Sequence, residues 1–172
     1  NPAGLGFQNT TGVAGMHVNW LPNLADDLAY EFLAFKTPTK MGTYGGHLIY
    51  LDLGEQMATD ENQNELGLFR SYMWALTASY GTKITPKSSV GVNFKIFHQK
   101  LADSGTAAEG GEAGSTDFAF DIGYLKKLGS IESKHPFHFG FSISNIGPAI
   151  DFKDQSQADP SPTNLRFGIY KE

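Results

Sequence analysis

The sequence predicts an all-β chain, an antiparallel up-and-down transmembrane β-barrel, on three observations. Large apolar side chains recur at every second residue over six stretches, short and long connections alternate, and the residues between the apolar ones are small or polar. Side chains alternate faces along a strand, so each such stretch has one apolar face and one wet face.

Eight strands are expected, at 12–19, 28–36, 43–52, 70–83, 88–100, 116–127, 137–145 and 164–170. The second and the eighth carry short versions of the alternation. The fourth carries the clearest, with Tyr72, Trp74, Leu76, Ala78 and Tyr80 set between Ser71, Met73, Ala75, Thr77, Ser79 and Gly81. The fifth sets Val90, Val92, Phe94 and Ile96 against Ser89, Gly91, Asn93 and Lys95. The sixth sets Phe118, Phe120, Ile122 and Tyr124 against Asp117, Ala119, Asp121 and Gly123. The seventh sets Phe137, Phe139, Phe141 and Ile143 against His138, Gly140, Ser142 and Ser144. Ten residues rising ~3.3 Å each at a tilt of ~45° cross about 23 Å, close to the apolar band of an outer-membrane barrel.

Connections at 37–42 and 84–87 are tight and that at 129–136 is moderate, whereas 53–69, 101–115 and 147–163 are long and polar. Membrane barrels segregate loop length this way, with short periplasmic turns and long outer loops. Asn1 is then expected on the periplasmic side. A soluble β-sandwich gives the same alternation. Its exterior would carry far more Lys and Glu, however, and only 18% of this chain is charged.

The 172 residues suffice for one domain, 1–172, and no run of 18 apolar residues marks a spanning helix. Zero cysteines removes disulfides and thiolate sites. A net charge of −5 without a basic run makes nucleic acid an unsuitable partner. The chain starts at Asn1 without methionine, which points to a removed leader or to part of a longer protein. Trp20, Tyr30, Tyr44, Tyr50, Tyr72, Tyr80, Tyr124 and Tyr170 mostly fall near strand ends, as interfacial girdles do.

Ordered short motifs carry a family resemblance. They are Asn1-Pro2-Ala3-Gly4-Leu5, Trp20-Leu21-Pro22 with Asp26-Asp27, and Leu53-Gly54-Glu55 with Asp60-Glu61-Asn62. Phe118-Ala119-Phe120-Asp121, Phe141-Ser142-Ile143-Ser144-Asn145-Ile146-Gly147-Pro148 and Pro162-Thr163-Asn164-Leu165-Arg166 follow in order. In this order the chain resembles the PorV family of the type IX secretion system, a branch of the FadL-like barrels. The resemblance takes in the whole chain, which corresponds to the N-terminal half of a typical member, and it implies a barrel of fourteen strands. It further implies a bacterial outer-membrane location and partners in lipid, in secretion-system translocon proteins and in secreted cargo. The implied activity is to accept cargo by its C-terminal signal domain and shuttle it to surface attachment. The wider FadL-like family implies instead the transport of hydrophobic small molecules, and a soluble β-sandwich binding module is a third reading.

Asn1, Pro2, Ala3, Gly4, Asn145, Ile146, Gly147 and Pro148 are expected as structural family motifs. Asp60, Glu61, Asn62, Asp151 and Phe152 are expected as rim residues that meet partners. Asp60-x-Asn62-x-Asn64 opens like a calcium loop, but Glu65 stands where the turn needs glycine and Ser71 where a bidentate glutamate belongs, so a solvated loop is expected. His135 and His138, an odd separation on a strand, point to opposite faces and cannot share a metal. Asp117 and Asp121, roughly 13 Å apart on one face, are too far apart for a glycosidase pair. They are expected to bond to Lys95 or Arg166. No nucleophile, zinc or phosphate-loop motif occurs, so neither an enzyme nor a cofactor is expected.

Overall fold

The computed structural model describes residues 1–102, 113–129, 137–151 and 158–171. Eight strands form one antiparallel meander in sequence order. They are β1 (Gly12–Asn19), β2 (Leu28–Pro38), β3 (Thr43–Thr59), β4 (Glu65–Thr85), β5 (Ser88–Ala102), β6 (Ala113–Leu128), β7 (Phe137–Ile146) and β8 (Asn164–Lys171). The sheet is open, with β1 and β8 as its edges. This arrangement is consistent with a β-barrel wall.

Two expectations need correction. The stretch 53–69, expected as a loop, is mostly strand, and β4 reaches 21 residues. The cause is a bulge. Pairing runs Asp52–Tyr72 and then resumes at Glu55–Arg70, with Gly54 between them at φ 72°. An extra residue in one strand shifts the phase of its alternation, so a period-two pattern ends there although the strand does not. Secondly, Pro2–Phe7 forms a 3-10 helix, where no helical segment was expected. Six residues are too few to show a period, yet the N-terminal signals are present: Asn1 as cap, accepting from the Ala3 amide, and proline in the first turn.

The short turns step along the sheet. Thr43, at the start of β3, lies level with Gly81, Gly91 and Gly123, whereas β6 continues from Gly123 to Leu128 before turning to Phe137. From the Pro38–Thr43 pair of β2 and β3 to the Leu128–Phe137 pair of β6 and β7, five residues of ~3.3 Å across four strand spacings of ~4.8 Å correspond to a tilt of about 40°, the range of membrane barrels. At that tilt β4 spans about 50 Å, twice an apolar band of ~25 Å. The β3–β4 hairpin therefore projects well beyond the band at its long-loop end.

Burial is inverted relative to a soluble protein. Leu76, Val92, Phe94, Phe120 and Ile122 on one face are 40–54% exposed, while Thr77, Ser89 and Asp121 on the other are 7% exposed or less. Directly paired residues share a face. Leu33, Leu48, Leu76, Ile96 and Phe118 thus form one continuous apolar row on the outer face. A sandwich would bury that row against a second sheet, whereas the described residues form a single sheet with the row on its exposed face. Tyr44, Tyr50, Tyr72, Tyr80 and Tyr124 share the outer face, as girdle residues would. Tyr30 and Tyr170 sit in the opposite register, on the inner face, so those two do not belong to a girdle.

Candidate functional site

The inner face holds the N-terminal segment. Gly81, Gly91 and Gly123 pair side by side across β4, β5 and β6, making a strip without side chains. The 3-10 helix lies on that strip. A Cβ built on Gly91 would stand 2.3 Å from the Pro2 carbonyl carbon, and one on Gly123 would stand 2.0 Å from Asn1 Oδ1. Gly81 meets Leu5 Cβ at 2.8 Å in the same way. Glycine is needed here for close approach, since all three distances are below any real contact.

Polar atoms of the segment are matched to the wall. Asn1 Nδ2 donates to the Phe141 carbonyl at 2.9 Å and to that of Tyr124 at 3.2 Å, bridging β6 and β7. Its Oδ1 accepts from the Ala3 amide at 3.0 Å. The Ser89 hydroxyl donates to the Ala3 carbonyl. Pro2 and Ala3 are buried. The motif residues Asn1 to Gly4 thus lie together as a plug near the short-turn end of the inner face.

A second cluster lies further along that face. Lys95 Nζ is 2.7 Å from Asp121 Oδ1, and Asn93 Nδ2 donates to Asp121 Oδ2 at 2.7 Å. Asn145, in the left-handed region at φ 59°, gathers the rest. Asparagine adopts that conformation more readily than most residues. Its amide donates to Asp121 Oδ1 at 2.8 Å and its side-chain oxygen accepts from Lys95. Its carbonyl accepts from the Ser161 hydroxyl at 2.7 Å and the Thr163 hydroxyl at 2.9 Å, and its Nδ2 donates to the Pro162 carbonyl at 3.2 Å. Asn145 therefore ties the returning end of the 147–163 connection to a buried ion pair on the wall.

Above this cluster is a cavity of about 360 Å³, lined by His47, Thr77 and Lys95 as well as Ile49, Phe97 and Ile150. The buried Thr77 hydroxyl has no hydrogen-bond partner among the described residues. Of the other motif residues, Ile146 closes β7 by pairing with Phe120. Gly147 passes so near β6 that a Cβ would stand 2.5 Å from the Phe118 carbonyl oxygen. Pro148 is exposed.

The rim residues divide. Asp60 caps the β3–β4 tip: its carboxylate accepts from the Asn62 and Asn64 amides and from Asn64 Nδ2, each at 2.8 Å. The side-chain bond from Asn64, followed by its amide, holds the Asp60 carboxyl below the usual carboxylate range. With its oxygens committed to the turn, Asp60 works as a structural cap. Glu61 and Asn62 are exposed beside it. Asp151 follows the isolated bridge between Ile150 and Asp159. Phe152 and His135 lie outside the described residues. Of the two carboxylates on β6, Asp121 takes Lys95, as expected, whereas Asp117 accepts from Ser115 two residues away.

A protein-family model described as "Type IX secretion system protein PorV" matches residues 1–170. The chain belongs to the PorV family. The match takes in essentially the whole chain and is not confined to an N-terminal half of it. No curated protein and no solved structure matches. PorV proteins are outer-membrane components of the type IX secretion system rather than an enzyme family, and the outward-facing apolar wall fits that location.

Alternation reveals faces but not which residues stand side by side. Gly81, Gly91 and Gly123 were visible in the sequence as small polar-face residues. Their alignment into one strip depends on register across three strands, and their partner is more than 70 residues away.

Proposed function

We propose that this chain contributes the wall of an outer-membrane barrel that accepts secreted proteins by their C-terminal signal domains and passes them to surface attachment. The observation that carries the reading is the family match over 1–170, joined to an inside-out sheet whose two longest connections, 103–112 and 147–163, lie at one end. In this reading the eight strands are closed by further strands, because lipid does not satisfy the backbone groups of an open edge. Glu61, Asn62, Asp151 and Phe152 belong to the outer rim and meet cargo or translocon partners there, and Asp60 holds the tip that presents Glu61 and Asn62.

The test is replacement of residues 147–163 by a short turn. The variant is expected to reach the outer membrane in normal amount yet to retain cargo inside the envelope, read by fractionation and blotting of a secreted protein. Normal secretion by that variant would overturn the role of this rim.

A second reading, transport of hydrophobic small molecules, is favoured by the 360 Å³ cavity with Ile49, Phe97 and Ile150 in its lining. The N-terminal plug opposes it by occupying the lumen beyond that cavity. Lipid recovered from the purified protein, and lost when Phe97 is replaced by aspartate, would favour this second reading.

A further inference from the structure

Among the described residues, the charged side chains at the short-turn end of the sheet are all cationic. Lys40, Lys83, Lys87, Lys126 and Lys127 lie at or beyond the glycine strip toward that end, and Lys36 reaches it through its side chain. Among the described residues no aspartate or glutamate lies on that side of the strip. The three ion pairs of the described residues are elsewhere: His17 with Glu31, Arg70 with Asp52, and Lys95 with Asp121.

These lysines converge on the plug. Lys127 Nζ lies 5.4 Å and Lys83 Nζ 5.7 Å from the centroid of the Phe7 ring, flanking it, and Lys36 donates to Gln8 Oε1. Lys87 donates to the Gly129 carbonyl at 2.5 Å, next to the same mouth. By register Lys36, Lys83 and Lys127 belong to the inner face with Gly45, Gly81 and Gly123. They therefore meet what comes to the mouth from water, not the lipid on the outer face. A cluster of lysines beside a half-buried aromatic attracts a flexible anionic segment, through summed charge and through the aromatic ring as an apolar anchor.

We infer that the short-turn mouth, built from Lys36, Lys83, Lys127 and Phe7, is a docking surface for an acidic polypeptide segment of a partner on the periplasmic side. The periplasmic placement rests on the proposed function; the binding chemistry does not.

The experiment uses the full chain in nanodiscs of zwitterionic phosphatidylcholine and a short fluorescein-labelled poly-glutamate peptide, read by anisotropy. Binding is expected to saturate at low salt and to weaken steeply as the screening length falls below ~10 Å. The triple variant K36Q/K83Q/K127Q is expected to bind about tenfold more weakly, and the corresponding triple arginine variant to recover most of the affinity. Absence of low-salt binding, or equal binding by the glutamine variant, overturns the proposal. So does a glutamine variant that binds the peptide like the parent and loses only co-purifying phosphatidylglycerol in mixed-lipid nanodiscs, since the lysines would then serve the bilayer. Peptide binding to opened envelopes but not to intact cells supports the periplasmic placement. Binding to intact cells rejects that placement, and with it the orientation in the proposed function, while leaving the peptide site itself standing on the nanodisc result.

Discussion

Gly91 decides whether the N-terminal segment can lie where it does. Its neighbours on both strands are also glycines, and the Pro2 carbonyl carbon occupies the place of its missing Cβ. Gly91→Ala cannot be absorbed by a rotamer change, because the opposing atoms are backbone. Overpacking of this kind costs about 1–3 kcal/mol. The variant is expected to release the segment from the wall, read as faster hydrogen exchange at the Ala3 amide. Gly168→Ala, with nothing within 4 Å of the added carbon, is the control and should leave that amide protected. Equal protection in both variants would mean that the segment is held by something other than the glycine strip. Nothing in the local sequence of Asn1 to Gly4 announces this partner. A short motif can state its own turn chemistry, but its docking surface is assembled from three strands that meet only in the sheet.

At the scale of the element, the β3–β4 hairpin shows where pattern reading stops. Its membrane part was legible in the alternation of Tyr72 to Tyr80; its outer part was hidden by the bulge at Gly54. Asp27 stabilises that bulge from another connection, accepting from the Glu55 amide at 2.7 Å, and Arg70 clasps Asp52 beside it. The tip depends on Asp60, whose folded carboxyl titrates below its ordinary value. A depressed carboxylate contributes order that is present above the unfolded pKa of ~3.9 and is lost as pH falls through the lower folded value. The tip is therefore expected to stay ordered at pH 5 and to loosen only below about pH 4. Amide shifts of Asn62 and Asn64 should move together in that window. Independent movement, or a transition near neutral pH, would separate the tip from the Asp60 titration.

For the whole molecule, the governing contrast lies between the two faces. Phe94 is 40% exposed in mid-sheet and packs beside Phe118 and Phe120 at ring separations of 6.4 and 5.1 Å. If lipid tails cover this face, Phe94→Arg should lower stability in vesicles by about 2–4 kcal/mol, the cost of a cation at mid-bilayer. Urea titration of the refolded protein measures it. Asn93→Ser, one residue along on the inner face, should cost much less, as it removes one bond to Asp121 and faces no lipid. A negligible effect of the arginine would mean that water already bathes these rings.

Strand identity, the number of strands, the all-β class and the family could be read from the sequence alone. They rest on local period and on short motifs, which need no knowledge of distant residues. Three features were settled only by tertiary structure: the bulge that lengthens the outer hairpin, the glycine strip beneath the plug, and the Asn145 hub joining Asp121, Lys95 and the 147–163 connection. Each depends on cross-strand register, and register is set by how all eight strands pair rather than by any one of them.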